Sequence, residues 1–117
     1  MWIFSQNGIS ISIKKGKLMN EDLYTIVNHF GIQNQIKKLN EEVYELTEAL
    51  HEYEYTDLLG KDYKDKLKEH IEEEYADVIV LLTQIKEYYK LDRDNLLDIK
   101  KDKIKRTIER IESGYYG

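Results

Sequence analysis

The chain has 117 residues and a mass of 14.0 kDa, with 35% charged residues, no proline and no cysteine. This length suits one small domain, and the lack of cysteine excludes disulfides and thiolate metal sites. The net charge of −5 argues against a nucleic-acid-binding surface, and no apolar run is long enough to span a bilayer. Because the start is also too short and too poor in basic residues for a signal peptide, we expect a soluble, cytoplasmic domain rich in helix.

The first residues of the chain predict a β-hairpin arm. Trp2-Ile3-Phe4 and the alternating run Ile9 to Ile13 flank Asn7-Gly8, a dipeptide suited to a type I′ turn. We expect the arm and a basic link to occupy residues 1–18 and a helical domain to occupy residues 19–117. An isolated two-stranded ribbon is only marginally stable, so the arm should pack on the helices or on another subunit.

Four amphipathic helices are predicted after the arm, from apolar residues that recur every three or four positions. Asn20 offers a cap for the first helix, Gly31 ends it, the second helix runs to about Tyr55, and the fourth begins at Asp94 or Asn95. The apolar stripes are Leu23, Ile26, Val27 and Phe30; Ile32, Ile36, Leu39, Val43, Leu46 and Leu50; Leu67, Ile71, Tyr75, Val78, Leu82, Ile85 and Tyr89; and Leu97, Ile104, Ile108 and Ile111. Short connections between such helices predict an all-α fold, an antiparallel four-helix bundle.

Two acidic pairs occupy the same position relative to the stripes of the second and third helices. At about 100° per residue, Glu42 and Glu45 lie on one flank of the second stripe, and Glu74 and Asp77 lie on the same flank of the third. If these helices pack side by side, the four carboxylates can converge. Close carboxylates repel one another, and a divalent cation reverses that penalty. Oxygen ligands without histidine or cysteine favour Mg²⁺ or Mn²⁺, so we predict a metal site here.

Cationic and amide side chains accompany the acidic pairs. Gln35 and Lys38 lie on the Glu42 side of the second stripe, and Lys103 and Arg110 lie on one side of the fourth, with Arg106 further out. They form either an ordinary solvated face or a set of contacts to the phosphates of a polyanion. The spacing alone leaves both interpretations open.

The assembled pattern resembles the MazG-like all-α nucleoside triphosphate pyrophosphohydrolases, a superfamily that also includes dimeric dUTPases. The family signature is Glu-x2-Glu, a spacer and Glu-x2-Asp, which here reads Glu42-x2-Glu45, 28 residues, and Glu74-x2-Asp77. The surrounding text is also similar over residues 30–46, 73–78 and, more weakly, 103–115. The resemblance covers roughly residues 20–116.

This resemblance implies cleavage of a nucleoside triphosphate between the α and β phosphates, with Mg²⁺ held by the four acids. It further implies that Glu42 or Glu45 orients or deprotonates the attacking water. By the same resemblance, Gln35 faces the base, and the triphosphate is held by Lys38, Lys103, Arg106 and Arg110. Because superfamily members usually build their sites at subunit contacts and this core is small, we expect a homodimer or homotetramer.

Three alternatives stay open at this point. Within the superfamily, a dUTPase or dCTPase activity or a phosphoribosyl-ATP pyrophosphohydrolase activity is compatible with the same motifs. Outside it, the regular stripes suit a non-catalytic helical interaction module, with tyrosine-rich surfaces as docking patches. A ferritin-like di-iron site is disfavoured, because it requires a Glu-x-x-His motif on each of two ligand helices, and the sequence contains one such motif, Glu48-x-x-His51 on the second helix.

Overall fold

Four α-helices make up the part of the chain that the structure describes, residues 16–55 and 60–115. The computed structural model contains α1 (Gly16–Phe30), α2 (Ile32–Tyr55), α3 (Lys61–Tyr89) and α4 (Arg93–Glu112). The described residues include no strand, so the all-helical class with four helices is confirmed. The β-hairpin predicted over residues 2–13 lies outside the described residues.

The break between α1 and α2 is a single glycine. Gly31 has φ +89°, a left-handed conformation that glycine adopts without steric cost. Its N–H donates to the carbonyl of Val27 at 2.8 Å, which satisfies one of the last carbonyls of α1. The predicted end of the first helix at Gly31 and the predicted span of the second to Tyr55 are both confirmed, whereas the predicted cap at Asn20 is wrong, because α1 already begins at Gly16.

The turn between α3 and α4 is fixed by backbone and side-chain caps. Lys90 has a left-handed backbone, φ 54° and ψ 46°, and its N–H and that of Leu91 donate to carbonyls in the last turn of α3 at 3.3 and 3.0 Å. Asp92 caps α4, because its Oδ1 accepts a hydrogen bond from the Asn95 N–H at 2.7 Å. The fourth helix therefore begins before the predicted Asp94, with the aspartate two residues earlier as its cap.

Helices α1, α2 and α3 pack around a small apolar core. Helices α2 and α3 run antiparallel: Gln35 Nε2 donates to Gln84 Oε1 at 2.7 Å near one end, and the Tyr63 hydroxyl lies 3.4 Å from Glu52 near the other. The buried apolar side chains are Leu23, Val27, Ala49, Leu67, Val78 and Leu81. Removing them from water favours the packed state by about 1.5–3 kcal/mol for each larger side chain.

Helix α4 contributes no buried residue to this core. The apolar stripe predicted for it is exposed along its whole length, with Leu97, Ile104, Ile108 and Ile111 each 45–58% accessible. The packing within one chain thus involves mainly three of the four helices. Among the described residues, no helix is both long enough and apolar enough to cross a membrane.

The buried side of α2 is its acidic flank rather than the centre of its predicted stripe. The buried residues Gln35, Glu42 and Ala49 follow one another at seven-residue intervals, so they form one row along the helix. The residues that come one position later in each repeat are large, apolar and exposed. They are Ile36, Val43 and Leu50. The seam between α2 and α3 is therefore partly polar.

Candidate metal centre

Three of the four predicted acidic ligands come together at the seam between α2 and α3. Glu42 and Glu45 from α2 and Glu74 from α3 each present one carboxylate oxygen, and these three oxygens lie within 4.8 Å of one another. Glu42 is 3% exposed, Glu74 is partly buried, and Glu45 is exposed. We call these three residues the acidic triad. Glu42 forms its buried floor, and Glu45 forms the side that is open to solvent.

Helix geometry explains why the triad forms. Residues three positions apart on a helix lie one turn apart on the same side, so Glu42 and Glu45 are neighbours along α2. The antiparallel register that pairs Gln35 with Gln84 brings Glu74 opposite them. The cluster is a direct consequence of turning the acidic flanks of both helices toward the seam.

The pKa values of Glu45 and Glu74 are raised within the cluster. Hydrogen bonding with Glu42, partial burial and the charges of Glu42 and Glu74 raise the pKa of Glu45 to about 7. Burial raises the pKa of Glu74, and the charges of Glu42 and Asp77 add to it, while His70 opposes the rise. Each added negative charge is disfavoured by those already present. The cluster is therefore short of positive charge.

Several oxygens of the cluster are buried without a hydrogen-bond partner. Glu42 Oε1 lies 3.1 Å from Lys38 Nζ, and Glu74 Oε1 lies 4.0 Å from His70 Nδ1. The second oxygen of each carboxylate, and Asp77 Oδ1, have no hydrogen-bond partner among the described residues. A buried polar atom without a partner costs about 1–3 kcal/mol, and more when it is charged. Hard oxygen donors in this state fit a divalent cation such as Mg²⁺.

Asp77 lies at the edge of this cluster rather than within it. It is not among the three residues whose oxygens meet within 4.8 Å. Burial raises the pKa of Asp77, and the charge of Glu42 is the next largest cause. The charge of Glu42 therefore acts on Asp77, and this fourth predicted ligand is adjacent to the triad.

Two of the residues predicted to bind substrate lie beside Glu42 on α2. Lys38 is half-buried and bonded to Glu42, and this hydrogen bond raises the pKa of the Lys38 ammonium. Gln35 is 3% exposed and bonded to Gln84 in the core. Lys38 thus faces the triad, whereas the Gln35 amide lies inside the helix packing.

The three cationic residues predicted on the fourth helix are not brought to the triad within one chain. Lys103, Arg106 and Arg110 lie on α4, all of whose residues are exposed. Arg106 Nε lies 3.4 Å from Asp102, and the Arg110 guanidinium lies 5.2 Å from the centre of the Tyr115 ring. Their described partners are thus on the same chain segment.

His70 and Gln84 lie on the α3 side of the seam, and neither is among the residues predicted for the site. His70 lies one turn before Glu74 and lines an open groove together with the two exposed-side acids Glu45 and Glu48. Gln84 is fully buried, and its Nε2 has no hydrogen-bond partner among the described residues. Helix spacing in the sequence could have identified both residues. His70 is four positions from Glu74, and Gln84 is seven positions from Asp77, so each pair lies on one side of α3.

Comparison of the chain with known proteins gives no further identification. No family model matches it, and neither the curated proteins nor the solved structures contain a match. The likeness to MazG-like enzymes therefore stays a prediction that rests on the motif residues.

Proposed function

We propose that this chain is a Mg²⁺-dependent nucleoside triphosphate pyrophosphohydrolase, which converts an NTP or dNTP to the monophosphate and pyrophosphate. The observation that carries the proposal is the acidic triad, three carboxylates whose oxygens meet within 4.8 Å and include buried oxygens with no hydrogen-bond partner in the described part of the chain. The order of the acids along the sequence, which resembles that of MazG-like enzymes, supports this reaction over other metal-dependent reactions. The proposed metal ligands are Glu42, Glu45, Glu74 and Asp77.

The metal would neutralise phosphate oxygens and lower the pKa of water, which is the chemistry that this reaction needs. Mn²⁺ has similar ligand preferences and is expected to substitute for Mg²⁺. Glu42, the most buried of the three, is held by Lys38 and fixes the base of the site. Glu74 forms the opposite wall on α3.

Glu45 is the residue that we assign to accept a proton from the attacking water. It is the exposed member of the triad, so water and substrate reach it most easily. Water attacks the α-phosphorus, the bond from that phosphorus to the bridging oxygen breaks, and pyrophosphate leaves with the bond electrons. The proton released by water passes to the Glu45 carboxylate, a general-base role that typically contributes about 10²–10⁴-fold to the rate.

Lys38 is proposed to contact the phosphates, because it is bonded to Glu42 of the triad and also lines a groove along α2 with Phe30 and Asn34. A lysine ammonium carries three N–H donors and acts as a compact positive charge toward phosphate oxygens. Gln35 lines the same groove with its Nε2 bonded to Gln84 Oε1, and its contact with the base stays a prediction. Lys103, Arg106 and Arg110 could contribute to phosphate binding only where α4 lies beside a triad, in the same or another copy. The assembly expected with this function is a homodimer or homotetramer with the four-helix packing completed.

The direct test is hydrolysis by the purified protein. Incubation with single NTPs and dNTPs and Mg²⁺ should release a monophosphate and pyrophosphate in equal amounts, detected as phosphate after addition of inorganic pyrophosphatase. Glu45→Gln should lower kcat by about 100-fold or more. Glu72→Gln is the matched control, because Glu72 is an exposed glutamate on α3 outside the triad. A screen that includes dUTP, dCTP and phosphoribosyl-ATP separates the alternative substrate classes.

A non-catalytic helical interaction module is the second candidate, and the exposed apolar surface of α4 favours it. Mg²⁺ titration separates the two candidates without an activity assay. In the enzyme, Mg²⁺ should raise the melting temperature of the wild type and not that of Glu42→Gln. A melting temperature that does not respond to Mg²⁺ or Mn²⁺, together with no pyrophosphate from any nucleotide, would remove the enzyme proposal.

A further inference from the structure

The groove beside Lys38 on α2 also carries two amide side chains. Its described lining is Phe30, Asn34, Gln35, Lys37, Lys38 and Glu41. The proposed function uses Lys38 as a phosphate contact, and the chemistry of the amides is the part that it leaves open. An amide offers N–H donors on one side and a carbonyl acceptor on the other. Which group the amides recognise therefore depends on which of their atoms are already bonded to the protein.

The polar groups along α2 follow the order of the parts of a metal-bound nucleotide. Asn34, Lys38 and Glu42 are spaced by four residues, so they form one row over successive turns. At 1.5 Å of rise per residue, Gln35 and Asn34 lie about 10–12 Å along the helix from Glu42. Lys38 lies between them and is bonded to Glu42. A nucleotide with its α-phosphate at the triad and a phosphate on Lys38 can extend its base toward the two amides.

The nitrogen of the Gln35 amide is held in the core. Gln35 Nε2 donates to Gln84 Oε1 at 2.7 Å, and Gln84 is fully buried. With the nitrogen on Gln84, the amide oxygen is turned away from it. Gln35 Oε1 accepts no hydrogen bond from the described residues, and it is not among their buried polar atoms that lack a partner. Gln35 Oε1 is therefore the atom that this residue offers to the groove.

The Asn34 amide is oriented in the same way by its own helix. Asn34 Nδ2 donates to the carbonyl of Phe30, one turn earlier, at 2.7 Å. The side chain is exposed, and its Oδ1 has no donor within residues 16–55 and 60–115. Two neighbouring amides thus have their nitrogens bonded to the protein and their oxygens available. The end of the groove that is farther from the triad presents hydrogen-bond acceptors.

We propose that this end of the groove binds the base of the nucleotide and selects bases with an exocyclic amino group, adenine or cytosine, over their keto counterparts, hypoxanthine and uracil. The inference rests on the proposed function, because it takes the ligand to be the nucleotide substrate. Adenine N6 and cytosine N4 are donors, whereas a keto oxygen in the same place is an acceptor. An amino group can donate to Gln35 Oε1 or Asn34 Oδ1, and a keto oxygen there leaves two acceptors facing each other. The Phe30 ring, 45% exposed, provides apolar surface for the flat base.

Gln84 is a positioning residue in this arrangement. It is fully buried, so it acts on the base only through Gln35, whose N–H it accepts. Without the Gln84 oxygen, the Gln35 amide can rotate and present either its oxygen or its N–H groups to the groove. The discrimination between amino and keto bases therefore depends on Gln84, whereas binding of the phosphates does not.

The first experiment compares matched nucleotides on the purified full chain. ATP and inosine triphosphate (ITP) differ by an amino or a keto group at one ring position, and so do dCTP and dUTP. In Mg²⁺, kcat/KM for pyrophosphate release should be about 10- to 100-fold higher for the amino member of one or both pairs, the factor by which a good hydrogen-bonded pair discriminates between bases. Calorimetric binding of the products, AMP against IMP and dCMP against dUMP, should show the same preference without turnover.

Variants then test the two amides. Gln84→Met should bring the ratio of kcat/KM within a pair to about one, because the Gln35 amide is free to rotate. A purely structural role of Gln84 would lower both members equally and leave the ratio unchanged. Gln84→Glu keeps an oxygen acceptor for Gln35 Nε2 and should retain the ratio. Asn34→Ala changes an exposed residue and should lower the ratio several-fold, while Asn40→Ala, an exposed amide of α2 outside the described lining of the groove, is the matched control.

The outcomes separate this inference from the proposed function. Hydrolysis at equal kcat/KM for both members of each pair, or a preference for the keto members, overturns the base selection and leaves the enzyme proposal in place. Product binding with an amino preference but without hydrolysis of any nucleotide supports the base site and removes the enzyme. Neither binding nor hydrolysis removes both. If Gln84→Met loses its helical circular dichroism, Asn34→Ala decides, and an unchanged ratio in that variant contradicts the proposal.

Discussion

Without metal, the acidic triad should make this protein less stable as the pH rises from about 5 to about 8. In the unfolded chain Glu45 loses its proton near 4.5, whereas in the folded chain its pKa is about 7. Between these values the folded state holds more protons than the unfolded state, so stability falls as pH rises through this window. Glu74 and Asp77, whose pKa values are also raised, act in the same direction.

The size of this effect follows from the position of Glu45. A pKa that moves from 4.5 to about 7 corresponds to about 3 kcal/mol between the two protonation states of a fully shielded group. Because Glu45 is exposed, water and salt screen most of this, and we expect about 1 kcal/mol. For a chain of this length, that is a shift of about 4 °C in melting temperature.

The assay is thermal unfolding followed by circular dichroism at pH 5, 6, 7 and 8 in chelator. The wild type and Glu45→Gln should melt together at pH 5, and Glu45→Gln should melt about 4 °C higher at pH 8. Glu41→Gln, which changes an exposed neighbour on α2, controls for the general loss of one negative charge. Saturating Mg²⁺ should raise the wild type above Glu45→Gln at pH 8. If the two proteins differ equally at pH 5 and pH 8, the carboxylates do not repel one another and the account of the triad is wrong.

Two further predictions concern the polar side chains that hold the helices. Gln35→Met should lower the free energy of unfolding by about 1–3 kcal/mol in a urea titration, because it removes the hydrogen-bond donor of the buried Gln84 amide oxygen. The double variant Gln35→Met/Gln84→Met should be close to the wild type. If the losses of the two single variants simply add in the double variant, the two amides act independently and the prediction is wrong. Asp92→Ala should destabilise the first turn of α4 by about 1 kcal/mol, which makes hydrogen exchange of the Asn95 amide roughly five-fold faster. Asp92→Asn is the control and should keep the slow exchange rate. Unchanged exchange in Asp92→Ala would show that the cap does not stabilise the helix.

The helices themselves could be predicted from the sequence because their signals are local. Gly31 with its positive φ stops α1, and the four-three rhythm of α2 extends to Tyr55 as predicted. The first residue of α4 is harder to predict, because Asp92, Asp94 and Asn95 lie within four positions of one another and are all good capping residues. In the structure Asp92 is the cap, because its backbone is extended and its Oδ1 accepts a hydrogen bond from the Asn95 N–H.

The orientation of the stripes could not be predicted from their periodicity. The apolar arc of α2 is wider than one neighbouring helix can cover, so the pattern identifies the arc but not the part that is buried. The structure buries Gln35, Glu42 and Ala49 and leaves Val43 and Leu50 exposed. The choice depends on where α1 and α3 lie, which is a tertiary property.

The triad was within reach of the sequence because it needs only two helices and a shared register. Glu42, Glu45 and Glu74 follow from helix spacing and from an antiparallel hairpin, both of which are short-range features. The position of the α4 cations relative to the triad could not be predicted from the sequence, because α4 lies outside the core of one chain. The roles of these residues, Lys103 and Arg110 among them, stay predictions until the packing of α4 is measured.

The buried carboxylate at the base of the site is difficult to explain as a structural feature alone. Glu42 is 3% exposed, and one of its oxygens has no hydrogen-bond partner within residues 16–55 and 60–115, although a glutamine there would avoid both the charge and its repulsion of Glu74. A single-chain core as small as this one has little stability with which to offset such a residue. Anything that binds only the folded chain adds to its stability according to its concentration and affinity. A cation at the triad would act in this way, so the melting temperature of the wild type should rise with Mg²⁺ concentration and that of Glu42→Gln should not.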